Sequence, residues 1–460
     1  MKLEKNYLAL SILTATLVGC GGDSDSSSKS IDDIAGVSCA DNVCTISGQI
    51  LEDITLTADK EWRLDGFVTI GAGNVELADA AAITAAKAAG VTMTVEPGVH
   101  IKSLNTGVLL VTRGSKLMAE GTAADPITFS SYQDEDFDGL GEWGGVVIQG
   151  FAPQYGQGDT GVCGDVCNID GEGGDGIGKF GGNDNADNSG VIKYVRIAEA
   201  GRVAGPNNEI NGLTLQGVGH GTVVDYVQVH NNLDDGIEWF GGTVNATHLV
   251  LTNNDDDDID FDEGYMGNIQ YALVVKDQTT AATPSGSNDP RGIEGNSDIP
   301  KETSDTHAVI ANVTLVGGDI NDGQPGIKLR GKVTTELAKV AVTGFTSGCL
   351  EVKDSQATDV SVQDVLCDET ALKNDAPASG SITTITTGSM AFNANWAVTN
   401  SEAVDSGITA DVTAVNNGSS FAFDPTTYIG AVDPAATTAW WSGWTIPNSL
   451  DGATSVNPAL

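Results

Sequence analysis

The chain has 460 residues, of which 63 are acidic and 22 basic, for a formal net charge of −41. A surface this acidic repels nucleic-acid phosphate and anionic headgroups, so no nucleic acid is expected as a partner. Apolar residues make up 40% of the chain, with no second hydrophobic span after the N-terminus. That is the composition of one large domain outside the membrane, which works in salt or offsets its self-repulsion with bound cations.

At the N-terminus, Lys2 and Lys5 precede an apolar run from Tyr7 to Val18 that ends in "LVGC". The stretch resembles a bacterial lipoprotein signal: residues 1–19 are too short an apolar element for a spanning helix, and their removal leaves Cys20 as a lipidated N-terminus. Gly21, not Asp, follows Cys20, so the resemblance implies a lipid anchor in the outer membrane, with the protein at the cell surface. The polar "GGDSDSSSKS" buries too little apolar surface to fold, which makes residues 20–36 a flexible tether. The other six cysteines form close pairs, Cys39 with Cys44, Cys163 with Cys167 and Cys349 with Cys367, and in an exported chain these read as local disulfides. No histidine accompanies any pair, and "CGDVC" lacks the spacing of a zinc knuckle.

Residues 37–90 are expected to form an N-terminal cap region, in which "VELADAAAITAAKAAG" has the alanine content of a short helix. From Val91 a strand–turn rhythm begins with "VTMTVEPGVHIKS", "VLLVTRGSKLMAEG", "PITFSS" and "WGGVVIQG". After Ile210, apolar–polar–apolar triplets recur in "INGLTLQG", "DDGIEWFG", "DDDIDFDEG", "PRGIEGN", "QPGIKLRG" and "SGCLEVKD". Their central residues, Thr214, Glu238, Asp260, Glu294, Lys328 and Glu351, are 24, 22, 34, 34 and 23 positions apart. Near-constant spacing with two longer intervals describes coils of one size carrying loops. Within each triplet the flanking residues, such as Ile237 and Trp239, point inward and the centre points out. Second strands such as "VIKYVRI", "TVVDYVQV" and "ATHLVLT" lie between the triplets. The predicted fold is therefore all-β, a right-handed parallel β-helix over residues 91–370, with a short N-terminal helical excursion or cap. Residues 371–460 are expected to add β-rich coils and a C-terminal cap, with Trp440, Trp441 and Trp444 closing the open end or forming a sugar-stacking platform.

"VEPGVHIKS", "GEWGGVVIQGFAP", "NNEINGLTLQGVGHGTVVDYVQVHNNLDDGIEWFGGTVNA" and the terminal "WWSGWT" resemble a group of Gram-negative surface lipoproteins with parallel β-helix domains. The resemblance covers nearly all of the mature chain. It implies the fold, the surface location and a TonB-dependent receptor as possible company, and it carries over no catalytic residue.

The densest charge lies in "NNDDDDIDFDEGYMGN", residues 253–268. Setting "DDGIEWF" over "DDDIDFD" at an offset of 22 stacks Glu238 on Asp260 and Asp235 on Asp257. Carboxylates one rung apart, ~4.8 Å, repel by roughly 3.5 kcal/mol at an effective dielectric of about 20. Hard oxygen donors with no histidine or cysteine beside them select Ca²⁺, so a calcium site is expected from Asp235, Glu238, Asp257, Asp258 and Asp260. A second is expected in "DEDFDGLGE", where Asp134, Asp136 and Asp138 precede Gly139 as in an EF-hand loop, with Glu142 replacing the missing distal glutamate. The glycine-rich loop Asp170 to Asn188 is a further place for an ion, while His220, His230, His248 and His307 read as turn or rung residues.

These features favour a calcium-stabilised, non-catalytic scaffold at the cell surface that assembles with itself, as in a surface layer or matrix, or binds surface polysaccharide. The alternatives are a calcium-dependent polysaccharide lyase or a glycan hydrolase, and a substrate-binding partner of a TonB-dependent receptor. The lyase needs Lys328 or Arg330 as base one or two rungs from the carboxylates.

Overall fold

The computed structural model describes residues 30–133, 136–154, 166–205, 208–276, 290–297, 306–318, 323–353, 359–368, 372–374, 385–400, 411–451, 453 and 456–460. Alternating apolar residues make each segment a strand, and successive coils pair in parallel, so the chain winds as a right-handed solenoid with three faces. One coil shows the plan. Residues 223–225 lie on the first face, Tyr226 turns the chain, residues 227–230 lie on the second, and after a corner Ile237–Phe240 lies on the third. Gly241 and Gly242, both at positive φ, then lead into the next coil.

The bend between the first two faces is made the same way seven times. Tyr194, Tyr226, His248, Tyr271, Asn312, Lys339 and Asp364 all have positive φ, and each stands between segments that pair on either side of it. A left-handed residue costs a side chain other than glycine about 1–2 kcal/mol. Four of them recover part of it by stacking: ring centroids are 4.4 Å apart for Tyr194 and Tyr226, 4.2 Å for Tyr226 and His248, and 4.9 Å for His248 and Tyr271.

The third face carries the triplets, and their register is the one the sequence spacing predicts. Thr214 pairs with Glu238, Glu238 with Asp260, Asp260 with Glu294, Glu294 with Lys328, and Lys328 with Glu351. Ile237, Trp239, Ile259 and Phe261 are fully buried in one continuous core, with Tyr265 tilted against both aromatic rings. Gly295 is required on the next rung, because a Cβ there would stand 2.5 Å from the Phe261 ring.

Two expected boundaries are corrected, and the helix takes the first of its two expected forms. The solenoid begins well before residue 91: Val43–Ile50 already pairs in parallel with Glu61–Ile70, and that strand with His100–Val111. Residues 37–90 therefore hold the first coils. What precedes them is an antiparallel pairing of Val37–Ala40 with Val43–Ile50, closed by the Cys39–Cys44 disulfide. The helix Ala80–Ala88, N-capped by Asp79, is an excursion with no buried residue and does not cover the core. At the other end, described residues after Thr387 form no strand, only an isolated bridge between Phe392 and Val398. The described part of this segment packs along the flank of the solenoid. Trp440 and Trp444 meet the Tyr226 ring edge-on, and the Ile446 N–H donates to Gln228 Oε1 at 2.6 Å. Of the expected disulfides, Cys39–Cys44 and Cys349–Cys367 are present, while Cys167 is disulfide-bonded and its expected partner Cys163 lies outside the described residues, as does Cys20.

Candidate metal centre

Two columns of side chains run down the third face and its leading corner. At the corner, the Gly212 N–H donates to Asp235 O, the Gly236 N–H to Asp257 O and the Asp258 N–H to Arg291 O, at 2.9, 2.8 and 3.2 Å. Asn211, Asp235, Asp257 and Arg291 therefore hold equivalent places on four successive coils. Beside them runs the triplet column of Thr214, Glu238, Asp260 and Glu294. The four carboxylates Asp235, Glu238, Asp257 and Asp260 form a block. A neutral amide bounds it above, where Asn211 Nδ2 donates to Glu238 Oε2 at 2.5 Å; a cation bounds it below, where Arg291 contacts Asp257 Oδ2 at 3.2 Å and also Glu294.

The corner itself is held by amides. The Asn232 N–H donates to Asn254 Oδ1 at 3.1 Å, Asn232 Nδ2 to Asp235 O at 2.6 Å, and Asn254 Nδ2 to Asp258 Oδ1 at 2.8 Å. Asp235 Oδ1 in turn accepts the Asp257 N–H at 2.9 Å. These bonds fix the carboxylates before any ligand arrives.

Although they point outward, three of the four carboxylates are buried and Asp260 is half-buried. Asp235, Glu238 and Asp257 are 7%, 8% and 4% exposed. The glycine-rich loop covers the neighbouring rungs, where Gln216 Nε2 donates to Glu172 O at 3.0 Å and Gln149 Nε2 to Ile177 O at 3.2 Å. It brings the Glu172 charge towards Glu238, adding to the negative potential. Burial pushes the Asp235, Glu238, Asp257, Asp260 and Asp262 carboxyls well above their usual range. Neighbouring carboxylates add to the rise at each, and Arg291 offsets it in part at Asp257 and Arg330 in part at Asp260 and Asp262. Asp257 Oδ1, Asp260 Oδ1 and Asp262 Oδ1 are buried atoms with no hydrogen-bond partner among the described residues. These oxygens lose hydration without gaining a hydrogen bond.

Asp235, Glu238 and Asp260 each offer an oxygen within 4.8 Å of the other two, and so do Asp234, Asp235 and Asp256. Among the described residues these are the two groupings that suit a metal ion. Only carboxylates contribute, so the donor set fits a hard cation of the calcium type. Asp258, expected as a ligand, belongs elsewhere: its Oδ2 lies 2.9 Å from the fully buried Lys276 Nζ, which also donates to Asn254 O at 3.1 Å and to Asp256 O. Burial still lifts the Asp258 carboxyl to about 6, with Lys276 opposing the rise. Asp257 shares its Oδ2 with Arg291 and belongs to neither grouping, and its buried Oδ1 has no hydrogen-bond partner among the described residues.

The second expected loop is not assembled as a site among the described residues. Asp136 and Asp138 are exposed, Glu142 folds back against Gly139, and the Gly139 N–H points to Glu199 Oε1 at 3.4 Å; Asp134 lies outside the described residues. The histidines take part in neither metal grouping. Burial lowers His230 to about 4, and its Nδ1 meets Thr252 Oγ1 at 2.7 Å. Sequence reasoning missed Asp234, Asp256, Lys276 and Arg291. The corner column had a readable signal, because its residues are spaced by 24, 22 and 34, the same intervals as the triplets.

Further along the same face the charges are balanced. Glu294 Oε1 accepts from Arg330 Nε at 2.7 Å and lies 3.2 Å from Lys328 Nζ, and Lys353 Nζ lies 3.5 Å from Glu351. Burial alone would raise Glu294, but Arg291, Lys328 and Arg330 hold its carboxyl down to about 2. Burial opposes the charge on Arg330, and Glu294 more than restores it, so its pKa is raised.

No curated protein and no solved structure matches the chain. The family model described as a pectate-lyase-like β-helix domain matches residues 48–445, from the first parallel strand to the tryptophans on the flank. The chain belongs to the pectate-lyase-like β-helix family.

Proposed function

We propose that this protein is a calcium-stabilised β-helix scaffold, anchored in the outer membrane through Cys20, that binds or assembles at the cell surface without catalysing a reaction. The observation that carries the reading is the block of buried Asp235, Glu238 and Asp257 with half-buried Asp260, stacked one rung apart with more negative charge than its described cations offset. Ca²⁺ would supply the missing charge and accept the unpartnered oxygens, leaving further positions for water or for an acidic group of a neighbouring molecule. The net charge of −41 acts in the same direction, since copies this acidic approach one another only through a shared cation. Calcium titration of the purified protein tests the reading: thermal unfolding rises on Ca²⁺ addition and falls back with chelator, whereas an unchanged transition contradicts it.

A second reading, a calcium-dependent lyase or a hydrolase acting on glycans, is favoured by membership of the pectate-lyase-like family. Its candidate bases are Lys328 and Arg330, and both are tied to Glu294. An unsaturated uronate product, read by its ultraviolet absorbance, would favour this reading over the scaffold. Where a TonB-dependent receptor is the partner, co-purification with that receptor would replace self-assembly as the outcome.

A further inference from the structure

Arg196 stands outside the charge networks of an acidic chain. Elsewhere Lys276 lies against Asp258, Lys193 against Asp225, and Arg291, Lys328 and Arg330 against Glu294. Buried Arg113 donates all three of its nitrogens to the carbonyls of Gly73, Val75, Cys167 and Gly181. Half-buried Arg196 donates Nε to Trp444 O, and its Nη1 and Nη2 have no hydrogen-bond or ion-pair partner among the described residues. Burial alone moves its pKa, downwards, with no carboxylate opposing the shift.

Those two nitrogens border a cleft of about 290 Å³ on the flank, where the second face meets the C-terminal segment. Trp441, Thr445, Asn448 and Asp451 also line it. The walls are fixed. Gln228, which pairs with Arg196 on the next coil, accepts the Ile446 N–H at 2.6 Å through Oε1 and donates through Nε2 to Ser449 Oγ at 2.9 Å. Trp441 Nε1 donates to Asn395 O at 3.1 Å, which sets the indole in place. Asp451 is exposed, and its carboxylate has no ion-pair partner among the described residues. A guanidinium and a carboxylate thus share one small cleft without meeting each other. A guanidinium with two free N–H groups grips a carboxylate in a fork. A chain of net charge −41 repels free anions, so the carboxylate that reaches Arg196 belongs to a molecule carrying its own positive charge.

We propose that this cleft binds a zwitterionic α-amino acid, with its carboxylate on Arg196, its ammonium between Asp451 and the Trp441 ring, and an apolar side chain against the indole. A cation over indole and an apolar group packed on it are both favourable, and a volume near 300 Å³ holds one such molecule. The site is independent of the calcium reading and gives the flank segment a binding role beside its packing role.

The test is calorimetric titration of the purified full-length protein with L-phenylalanine, with L-phenylalaninamide, which lacks the carboxylate, and with 3-phenylpropionate, which lacks the ammonium. L-Phenylalanine binds saturably, one per chain. Losing the carboxylate weakens binding about tenfold or more, as for one charge-assisted contact, and losing the ammonium weakens it a few-fold, because Asp451 is exposed. Asp451→Asn weakens L-phenylalanine and strengthens 3-phenylpropionate, an opposition of sign that loosened packing does not produce. Arg196→Gln brings L-phenylalanine down to the level of the amide. Asp451 is at the surface, so its variant keeps the fold and decides the matter even where Arg196→Gln disturbs the flank. No saturable binding of L-phenylalanine at millimolar concentration overturns the proposal. So do 3-phenylpropionate binding as tightly as L-phenylalanine, and an affinity for L-phenylalanine unchanged in Asp451→Asn. None of these readouts depends on the calcium response.

Discussion

The upper and lower halves of the outward column on the third face share one backbone and one register, yet their charges meet different ends. In the lower half Glu294 is gripped by Arg291, Lys328 and Arg330, and Glu351 has Lys353 beside it. In the upper half Glu238 faces Asp260 across one rung, with Asp235 and Asp257 alongside, and Arg291 reaches only the lower edge. Strand geometry is therefore neutral about charge: the same pleat accommodates an ion-pair network or an acidic block with a cation only at its edge among the described residues. Which of the two forms depends on what stands one coil away.

The contrast is sharpest where a buried carboxylate does have an internal cation. Replacing Lys276 with Met leaves Asp258 buried without its partner, and unfolding in denaturant should show a loss of about 3–5 kcal/mol. Adding Asp258→Asn in the same chain should recover most of it, and a single variant as stable as wild type would contradict the pairing.

Next in size is pH dependence without calcium. Asp258, raised to about 6 in the fold, contributes stability that is complete below its unfolded value of 3.8 and is lost as pH rises to about 6. The shift corresponds to about 3 kcal/mol at 1.36 kcal/mol per unit. Asp235, Glu238, Asp257 and Asp260 are raised in the same direction and deepen the fall. Glu294, held at about 2, works oppositely: its contribution is present above 4.5 and lost as pH falls towards 2. Calcium-free melting curves should therefore peak near pH 4 and decline towards neutrality, and saturating calcium should remove the decline. Stability that rises steadily from pH 4 to 7 without calcium would break the contrast between the halves.

Asp260→Asn removes one partner of the Glu238 contact. It should raise calcium-free stability by about 1–3 kcal/mol, within the roughly 3.5 kcal/mol limit for two charges one rung apart, while weakening the calcium response. The smallest effect belongs to the lower half. Arg330→Ala should cost under about 1 kcal/mol, because its side chain is 44% exposed and Glu294 keeps Arg291 and Lys328. A larger loss would mean that the lower network is less redundant than its geometry implies.

Much of the third face was legible because its signal is local: the apolar residues flanking Glu238 and Asp260 alternate with period two, and glycines mark the turns beside them. That sufficed for the register of Thr214 through Glu351 and for the interior places of Trp239 and Phe261. What was hidden depends on contacts between coils. Lys276 lies 18 positions after Asp258 and next to a different carboxylate in sequence, Asp277, so nothing local reveals that it reaches back to Asp258, and Arg291 meets Asp257 only because a longer coil returns to the same corner. The first coils were obscured because the excursion holding Ala80–Ala88 interrupts their rhythm. The seven positive-φ bends fall on tyrosine, histidine and lysine as well as on asparagine and aspartate, so residue preference gave no warning of them. After Thr387 there is no period to read, and side-chain packing on the flank positions the tryptophans.

The central claim, that the upper half completes its charge balance with calcium, is tested most directly by thermal unfolding of the purified wild-type protein at neutral pH, in chelator and in saturating Ca²⁺, with Glu238→Gln beside it. The account predicts a large upward shift with calcium for wild type and a reduced one for the variant, whose transition in chelator lies above that of wild type. Equal transitions with and without calcium in wild type, or an undiminished shift in the variant, would contradict it.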